Sequence, residues 1–233
     1  MKVFIWFLFF LPIVYAAEHY DYFQLVLQWP PTVCRGPCTR PVQQNFTIHG
    51  LWPSDSTMPG RPINCTGSQF DATLIKDLTP SLDKFWPNLT GDNEYFWRNQ
   101  WESHGTCSED TFNEHGYFSK ALELKENVDI LGYLDDGGIK PLPPKVVYRS
   151  SDISEVIEHG GHKFNGTGHK PRLWCSEDNK LLEISVCYNL DLAYTDCPPK
   201  LLNYSSHICK DQCVGFPDFP YPPPPLLASA VSY

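Results

Sequence analysis

Two short apolar runs near the start of the chain predict β-strands. Residues 22–29 are rich in β-branched and aromatic side chains and are followed by Pro30-Pro31, which stop a strand. Residues 46–49 form a second run, which we expect to end at Gly50. This assignment places His49 at a strand terminus, where side chains commonly reach a cleft.

The next region changes to a helical period. Apolar residues recur at helical spacing over 71–85, with a soft break at Pro80. Residues 93–103 predict a second helix, which Gly105 ends. His104 then lies at a helix C-terminus, where the helix dipole favours the protonated imidazole, so the pattern predicts a raised pKa for His104.

The rest of the chain mixes both periods, and no internal repeat is present. The predicted elements are one or two helices over 114–134, an extended segment over 145–149, a helix over 151–159, and a hairpin of strands 172–175 and 181–188.

The two ends of the chain differ from the region between them. Lys2 precedes an apolar run over 3–14 and small residues at a cleavage position, which predicts a secretory signal peptide over 1–16. The proline-rich stretch 216–233 predicts an extended tail outside the fold. One domain over 17–215 remains, and we expect it to be secreted or delivered to a vacuole, with no membrane anchor after signal removal.

Cysteines and sequons agree with export. Nine cysteines in an exported chain predict disulfides, with one cysteine left over, and Cys34 and Cys38 lie in one turn, close enough to bridge. Asn45 begins a sequon but borders an apolar run. The sequons expected to carry glycans begin at Asn64, Asn88, Asn165 and Asn203.

The charge of the chain limits how it could hold a nucleic acid. The formal net charge is −9, so bulk electrostatics would not attract a polyanion. A nucleic-acid substrate would be held locally and briefly, by stacking surfaces and a few polar groups. This favours a degradative enzyme over a stable binder.

Two histidine-containing stretches carry the candidate chemistry. Phe46 to Ser54 contains His49 followed by glycine, with Trp52 close by, and Phe96 to Cys107 contains His104 followed by glycine. Two imidazoles can act as base and acid in one reaction. RNA supplies its own nucleophile, the 2′-hydroxyl, so one base and one acid suffice to cleave it without metal or cofactor.

A zinc site is the main alternative for these histidines. It is weaker because the chain has no C-x-x-C pair and export favours disulfides. Five further histidines are expected to be solvated loop residues without a role in the reaction: His115, His159, His162, His169 and His207.

The two stretches resemble the two active-site segments of the ribonuclease T2 family. Residues 24–30 also resemble the first strand of that family, and residues 182–187 its late strand. The resemblance implies an α+β fold, in which an antiparallel β-sheet with packed helices forms one disulfide-stapled domain. It also implies a monomer acting on single-stranded RNA.

The family resemblance assigns a role to several residues. His104 would be the general base and His49 the general acid, with Gln100 as a further catalytic position. The residues expected to bind RNA are Trp52, which would stack on one base, and Gln28, Phe96 and Asn99. The implied disulfides are Cys65–Cys107, Cys187–Cys197, Cys34–Cys38, and Cys175 with either Cys209 or Cys213.

The second segment departs from the family pattern His-Glu-Trp-x-Lys-His at three places. Asn99, Gln100 and Ser103 stand at the first His, the Glu and the Lys positions. In the family that lysine is thought to stabilise the pentacovalent intermediate, and a neutral hydroxyl cannot replace its charge. The cations that could substitute are Lys84, Arg98 and Lys120.

Three functions are therefore compatible with the sequence. The first is a secreted endoribonuclease that forms a 2′,3′-cyclic phosphate. The second is a weakly active family member with a recognition, defence or storage role, suggested by Ser103. The third is a self-incompatibility ribonuclease, which the acidic charge makes less favourable than the S-like branch because self-incompatibility members tend to be basic.

Overall fold

A computed structural model describes residues 19–34, 38, 42–141, 147–161, 165–199, 209 and 213–216. The strands are β1 (Tyr22–Gln28), β2 (Thr47–Ser54), β3 (Val147–Arg149), β4 (Arg172–Cys175), β5 (Leu181–Tyr188), β6 (Tyr194–Thr195) and β7 (Cys213–Gly215). The α-helices are α1 (Pro30–Val33), α2 (Thr79–Phe85), α3 (Asn93–Ser103), α4 (Glu114–Glu126), α5 (Ile130–Asp136) and α6 (Ser150–His159). The predicted signal peptide and nearly all of the predicted tail lie outside the described residues.

The main sheet is antiparallel and has the strand order β2-β1-β5-β4, with the short β6 beside β5. A separate pair joins β3 to β7. The helices pack around the sheet within one hydrophobic core, so the predicted α+β class is confirmed. The predicted first strand and the 172–188 hairpin are present as β1, β4 and β5.

The prediction that the second strand ends at Gly50 is wrong. Strand β2 continues to Ser54 because its pairing with β1 continues as far as Tyr22 opposite Ser54. Pro53 is tolerated within it because β2 lies at the edge of the sheet, where a missing N–H costs no ladder bond. His49 therefore lies inside the strand, not at its end.

The two faces of the sheet differ in polarity. Because side chains alternate along a strand, Phe23, Leu25 and Leu27 share one face, and all three are fully buried in the core. Gln24 and Gln28 lie on the opposite face of β1. The core face is covered in part by α4, whose Tyr117 hydroxyl donates to the Leu51 carbonyl at 2.7 Å.

Most predicted helices are found with small changes. The predicted helix over 71–85 is divided into a 3₁₀ turn (Ala72–Ile75) and α2, so the break comes before Pro80. Pro80 lies in the first turn of α2, where a backbone N–H has no partner within the helix and its absence costs nothing. Helix α3 spans the predicted residues 93–103, and Asp92 caps its start through the Tyr95 N–H. Helices α4 and α5 divide the region 114–134.

Four disulfides staple the fold: Cys34–Cys38, Cys65–Cys107, Cys175–Cys209 and Cys187–Cys197. The implied pairings are therefore found, and Cys209 is the partner of Cys175. The Cys65–Cys107 bridge ties the loop after β2 to the segment that follows α3. In the described part of the chain, no helix is long and apolar enough to cross a bilayer.

Candidate active site

His49 is positioned by a β-bulge in β2. Val26 of β1 lies opposite Gly50 and Leu27 lies opposite Ile48, so His49 is the extra residue with no partner on β1. Bulges bend a strand and redirect a side chain, and they are common beside active sites. The bulge turns the His49 ring toward a cavity on the polar face of the sheet.

A carboxylate holds the His49 ring. His49 Nδ1 lies 2.5 Å from Glu183 Oε1, and Glu183 belongs to β5, two strands away in the sheet. When Nδ1 donates to this carboxylate, Nε2 remains for a substrate. Phe96 of α3 lies against the same imidazole, with 5.9 Å between ring centroids.

His104 lies where α3 ends and a 3₁₀ turn (Gly105–Ser108) begins. Its backbone N–H donates to the Gln100 carbonyl at 3.0 Å. Its ring stacks on Trp52, with centroids 4.9 Å apart and planes inclined by 26°. His104 Nδ1 is buried and has no hydrogen-bond partner among the described residues. The His104 ring is thus held by stacking on Trp52, whereas the His49 ring is held by a hydrogen bond to Glu183.

The prediction of a raised pKa for His104 is wrong. Burial, chiefly, and the charge of His49, secondarily, lower the pKa of His104 to about 3. A dipole at an exposed helix end favours the cation, but here desolvation of the ring outweighs it. His104 is therefore a neutral imidazole at neutral pH.

We expect an NMR titration to find His104 neutral down to about pH 3. Replacing His49 with Gln removes the second cause, so the pKa of His104 should rise in that variant. The His104 side chain binds a proton near pH 6.5 in the unfolded chain but only near pH 3 in the folded protein. As the pH falls from 6.5 to 3, protonation therefore favours the unfolded state, and the free energy of unfolding decreases. A pKa of His104 near 6.5 in the folded protein would contradict this description.

Trp52 lies between the two imidazoles. Its ring centroid is 5.1 Å from that of His49 and 4.9 Å from that of His104. Its Nε1 donates to Gln100 Oε1 at 3.1 Å. A side chain at Gly50 would collide with both Trp52 and Gln100, so glycine is needed for this approach of α3 to β2. His104 stacks on the Trp52 indole, whereas His49 meets it in a T-shaped arrangement with the ring planes inclined by 74°.

The cavity in front of these rings has a volume of about 510 Å³. That volume falls within the range of small-molecule sites. The sequence-predicted residues that line it are His49, Trp52, Asn99, Gln100, Ser103 and His104. Gln28 and Phe96 do not line this cavity. Gln28 is buried opposite Glu183, and Phe96 packs on the His49 ring.

The cations proposed to replace the missing lysine are engaged elsewhere. Arg98 pairs with Glu94, Lys120 pairs with Glu123, and Lys84 lies over the Phe85 ring. Two arginines that the sequence reasoning did not consider, Arg61 and Arg172, line the cavity instead.

Sequence reasoning also missed Glu183 and Trp174. Glu183 is an acid in the largely apolar β5, and alternation places it on the same face as Ser185. That pattern was a usable sign of a polar sheet face. Groups of three or more metal-ligating side chains are not found among the described residues. The cysteine thiols of the four bridges are consumed as disulfides.

The family model described as the ribonuclease T2 family matches residues 20–197. Ribonuclease 1 of Arabidopsis thaliana is 42% identical over 197 residues, covering 76% of this chain and 81% of the relative. Extracellular ribonuclease LE of Solanum lycopersicum is 34% identical over 194 residues, covering 76% and 80%. The crystal structure of RNase NT in complex with 5′-AMP superposes with a TM-score of 0.72 at 30% identity, covering 86% of this chain and all of that one.

Proposed function

Because this chain belongs to the ribonuclease T2 family, we propose that it is an endoribonuclease that cleaves single-stranded RNA through a 2′,3′-cyclic phosphate. One observation carries the proposal: two imidazoles in different environments face one cavity. His104 is half-buried, with Nδ1 shielded from solvent, and is neutral, as a base must be, whereas His49 is hydrogen-bonded to a carboxylate, as suits an acid.

The reaction uses one proton transfer at each histidine. His104 takes the proton of the ribose 2′-hydroxyl, and the resulting oxyanion attacks the adjacent phosphorus. The bond from phosphorus to the 5′-oxygen then breaks, and His49 Nε2 protonates that oxygen. The products are a 2′,3′-cyclic phosphate and a 5′-hydroxyl, and the chemistry itself requires neither a metal nor another cofactor.

The side chains around the histidines would hold the RNA and orient the rings. Trp52 is half-buried and lines the cavity, so we expect it to stack on a base, which is a common mode of single-strand recognition. Gln100 fixes that indole through its hydrogen bond, so we assign it an orienting role. Asn99 is exposed at the cavity and would bind substrate, while Phe96 would support the His49 ring and Gln28 the Glu183 opposite it.

Glu183 would position the acid. We expect Glu183→Gln to lower kcat by about tenfold or more with little change in KM, since the ring would lose the charged partner that fixes Nδ1. Steady-state kinetics on a dinucleotide substrate check this. Glu177→Gln, in the turn between β4 and β5, is a matched control. An unchanged kcat in Glu183→Gln would show that the carboxylate has no part in catalysis.

The proposed function is tested by incubating purified protein with single-stranded RNA and with DNA of the same sequence, each with and without a chelator. We expect cleavage of RNA in both conditions and intact DNA, because the 2′-hydroxyl is the nucleophile. Intact RNA, or cleavage that the chelator abolishes, would overturn the proposal.

Export is part of the proposal. The relative LE is named as extracellular, and the acceptor asparagines Asn64 and Asn165 are exposed here. Asn88 is half-buried and its Nδ2 donates to the Asp92 carbonyl, so it is a poorer acceptor. We infer a secreted or vacuolar glycoprotein acting as a monomer. Sequencing the N-terminus of the exported protein tests the removal of residues 1–16.

A weakly active protein with a recognition, defence or storage role is the second candidate. The observation that favours it is Ser103, which lines the cavity where the family pattern has a lysine. The two candidates differ in turnover, and a substitution at Ser103 separates them.

A further inference from the structure

We propose that β4 carries an additional nucleotide subsite, in which Arg172 binds an RNA phosphate and Trp174 stacks on the neighbouring base. The subsite rests on the proposed ribonuclease function and extends it to longer single strands. It would lie across the sheet from Trp52 and add affinity for RNA without touching the scissile bond.

The polar face of the sheet continues from the histidines to β4. Glu183, which holds His49, lies directly opposite Trp174, and Ser185 lies opposite Arg172. Side chains of directly opposite residues share a face, so Arg172 and Trp174 project from the same face as Glu183. Both line the cavity that contains the two histidines.

Trp174 is held in place as a stacking surface. Its Nε1 donates to Ser185 Oγ at 2.9 Å, and its side chain is only partly buried. A fixed indole with an accessible surface suits any base, because every base has a π-face. The core tryptophans Trp29, Trp86 and Trp101 are fully buried by contrast.

Arg172 is fixed but not neutralised. Its Nη1 donates to Gln24 Oε1 at 3.0 Å and its Nη2 donates to the Pro198 carbonyl. Neither partner is charged, and no ion pair of Arg172 is found among the described residues. A guanidinium has five N–H donors, so these two bonds leave donors for a phosphate. The guanidinium carbon lies 5.8 Å from the Trp174 ring centroid, which suits one nucleotide contacting both.

The subsite is separated from Trp52 by the width of the sheet. Three interstrand steps, about 14 Å, lie between the backbones of β2 and β4, and the His49 ring reaches from β2 to Glu183 on β5, the strand beside β4. A dinucleotide with one base on Trp52 and its phosphate at His49 would therefore end near β5, whereas a longer strand would continue onto β4. In a chain of net charge −9, an unpaired arginine in the cavity is a local point of attraction for the RNA backbone.

The test is the equilibrium binding of uncleavable 2′-deoxy analogues, a dinucleotide and a hexanucleotide, measured by fluorescence anisotropy. We expect Trp174→Leu to weaken hexanucleotide binding by about tenfold and dinucleotide binding by less than twofold. Trp174→Phe should restore most of the loss because a ring can still stack. Tyr95→Ala, which removes an exposed aromatic side chain of α3 outside the cavity, should change neither affinity.

Salt dependence tests the arginine. We expect Arg172→Gln to reduce the slope of log Kd against log salt by about 0.7 for the hexanucleotide alone, as for the loss of one phosphate contact. Arg172→Lys should keep the slope, and Arg149→Gln serves as a surface control.

Several results would overturn the subsite. These are equal losses for both lengths, no loss for either, or a wild-type protein that binds the hexanucleotide no more tightly than the dinucleotide. Because binding is measured without cleavage, a protein that binds as expected but leaves RNA intact would refute the proposed function and not the subsite.

Discussion

Replacing either His49 or His104 with alanine is expected to lower kcat by about 10²- to 10⁴-fold, the usual contribution of one general acid or base. The two rings act in one step, so the double variant should be little worse than the more damaging single variant. Initial rates on a defined dinucleotide measure the effect.

The control is His115→Ala, since His115 pairs with Asp77 on the surface away from the cavity. Thermal unfolding of each variant separates lost chemistry from lost fold. Near wild-type turnover in His49→Ala or His104→Ala would remove that residue from the mechanism.

Ser103→Lys is expected to raise kcat by about tenfold to hundredfold. Ser103 ends α3, is half-buried, and lines the cavity next to His104. A cation there would stabilise the charge that develops on the phosphorane. One preorganised oxyanion donor is worth about 10²- to 10³-fold in kcat, and we expect a newly introduced side chain to supply only part of that. The rate of cleavage of a dinucleotide at saturation is the measurement.

Two variants control for charge and for length. Ser68→Lys adds the same charge at an exposed position outside the cavity, and Ser103→Met adds a long side chain without charge. Neither should raise kcat. If Ser103→Lys also leaves kcat unchanged, an existing group such as Arg61 already supplies the charge, and the weakly active alternative loses its basis.

The sequence predicted most of the fold because its elements follow local rules. Helix α3 is followed by a glycine after its last turn and spans the predicted residues 93–103, so its bounds were predicted. The β-forming residues of β1, stopped by Pro30-Pro31, and the turn of the β4–β5 hairpin were equally direct signals. The extension of β2 beyond Gly50 was not predictable from local signals, because pairing with β1 outweighs the glycine and proline within it.

The candidate site was predictable as a set of residues but not as an arrangement. The motifs identified His49 and His104, and the structure brings both within about 5 Å of the Trp52 ring. The contact with Glu183 depends on strand register across 134 residues of sequence, which no local pattern encodes. The low pKa of His104 depends on burial by neighbours that are distant in sequence, so the local helix dipole gave the wrong sign.

The central claim is that two histidines cleave RNA by using its own 2′-hydroxyl, and the ends of the first products test it most directly. ³¹P NMR or mass spectrometry of early products from a short RNA of defined sequence identifies those ends. We predict a 2′,3′-cyclic phosphate on one fragment and a 5′-hydroxyl on the other. Fragments that carry a 5′-phosphate and a 3′-hydroxyl would contradict the mechanism.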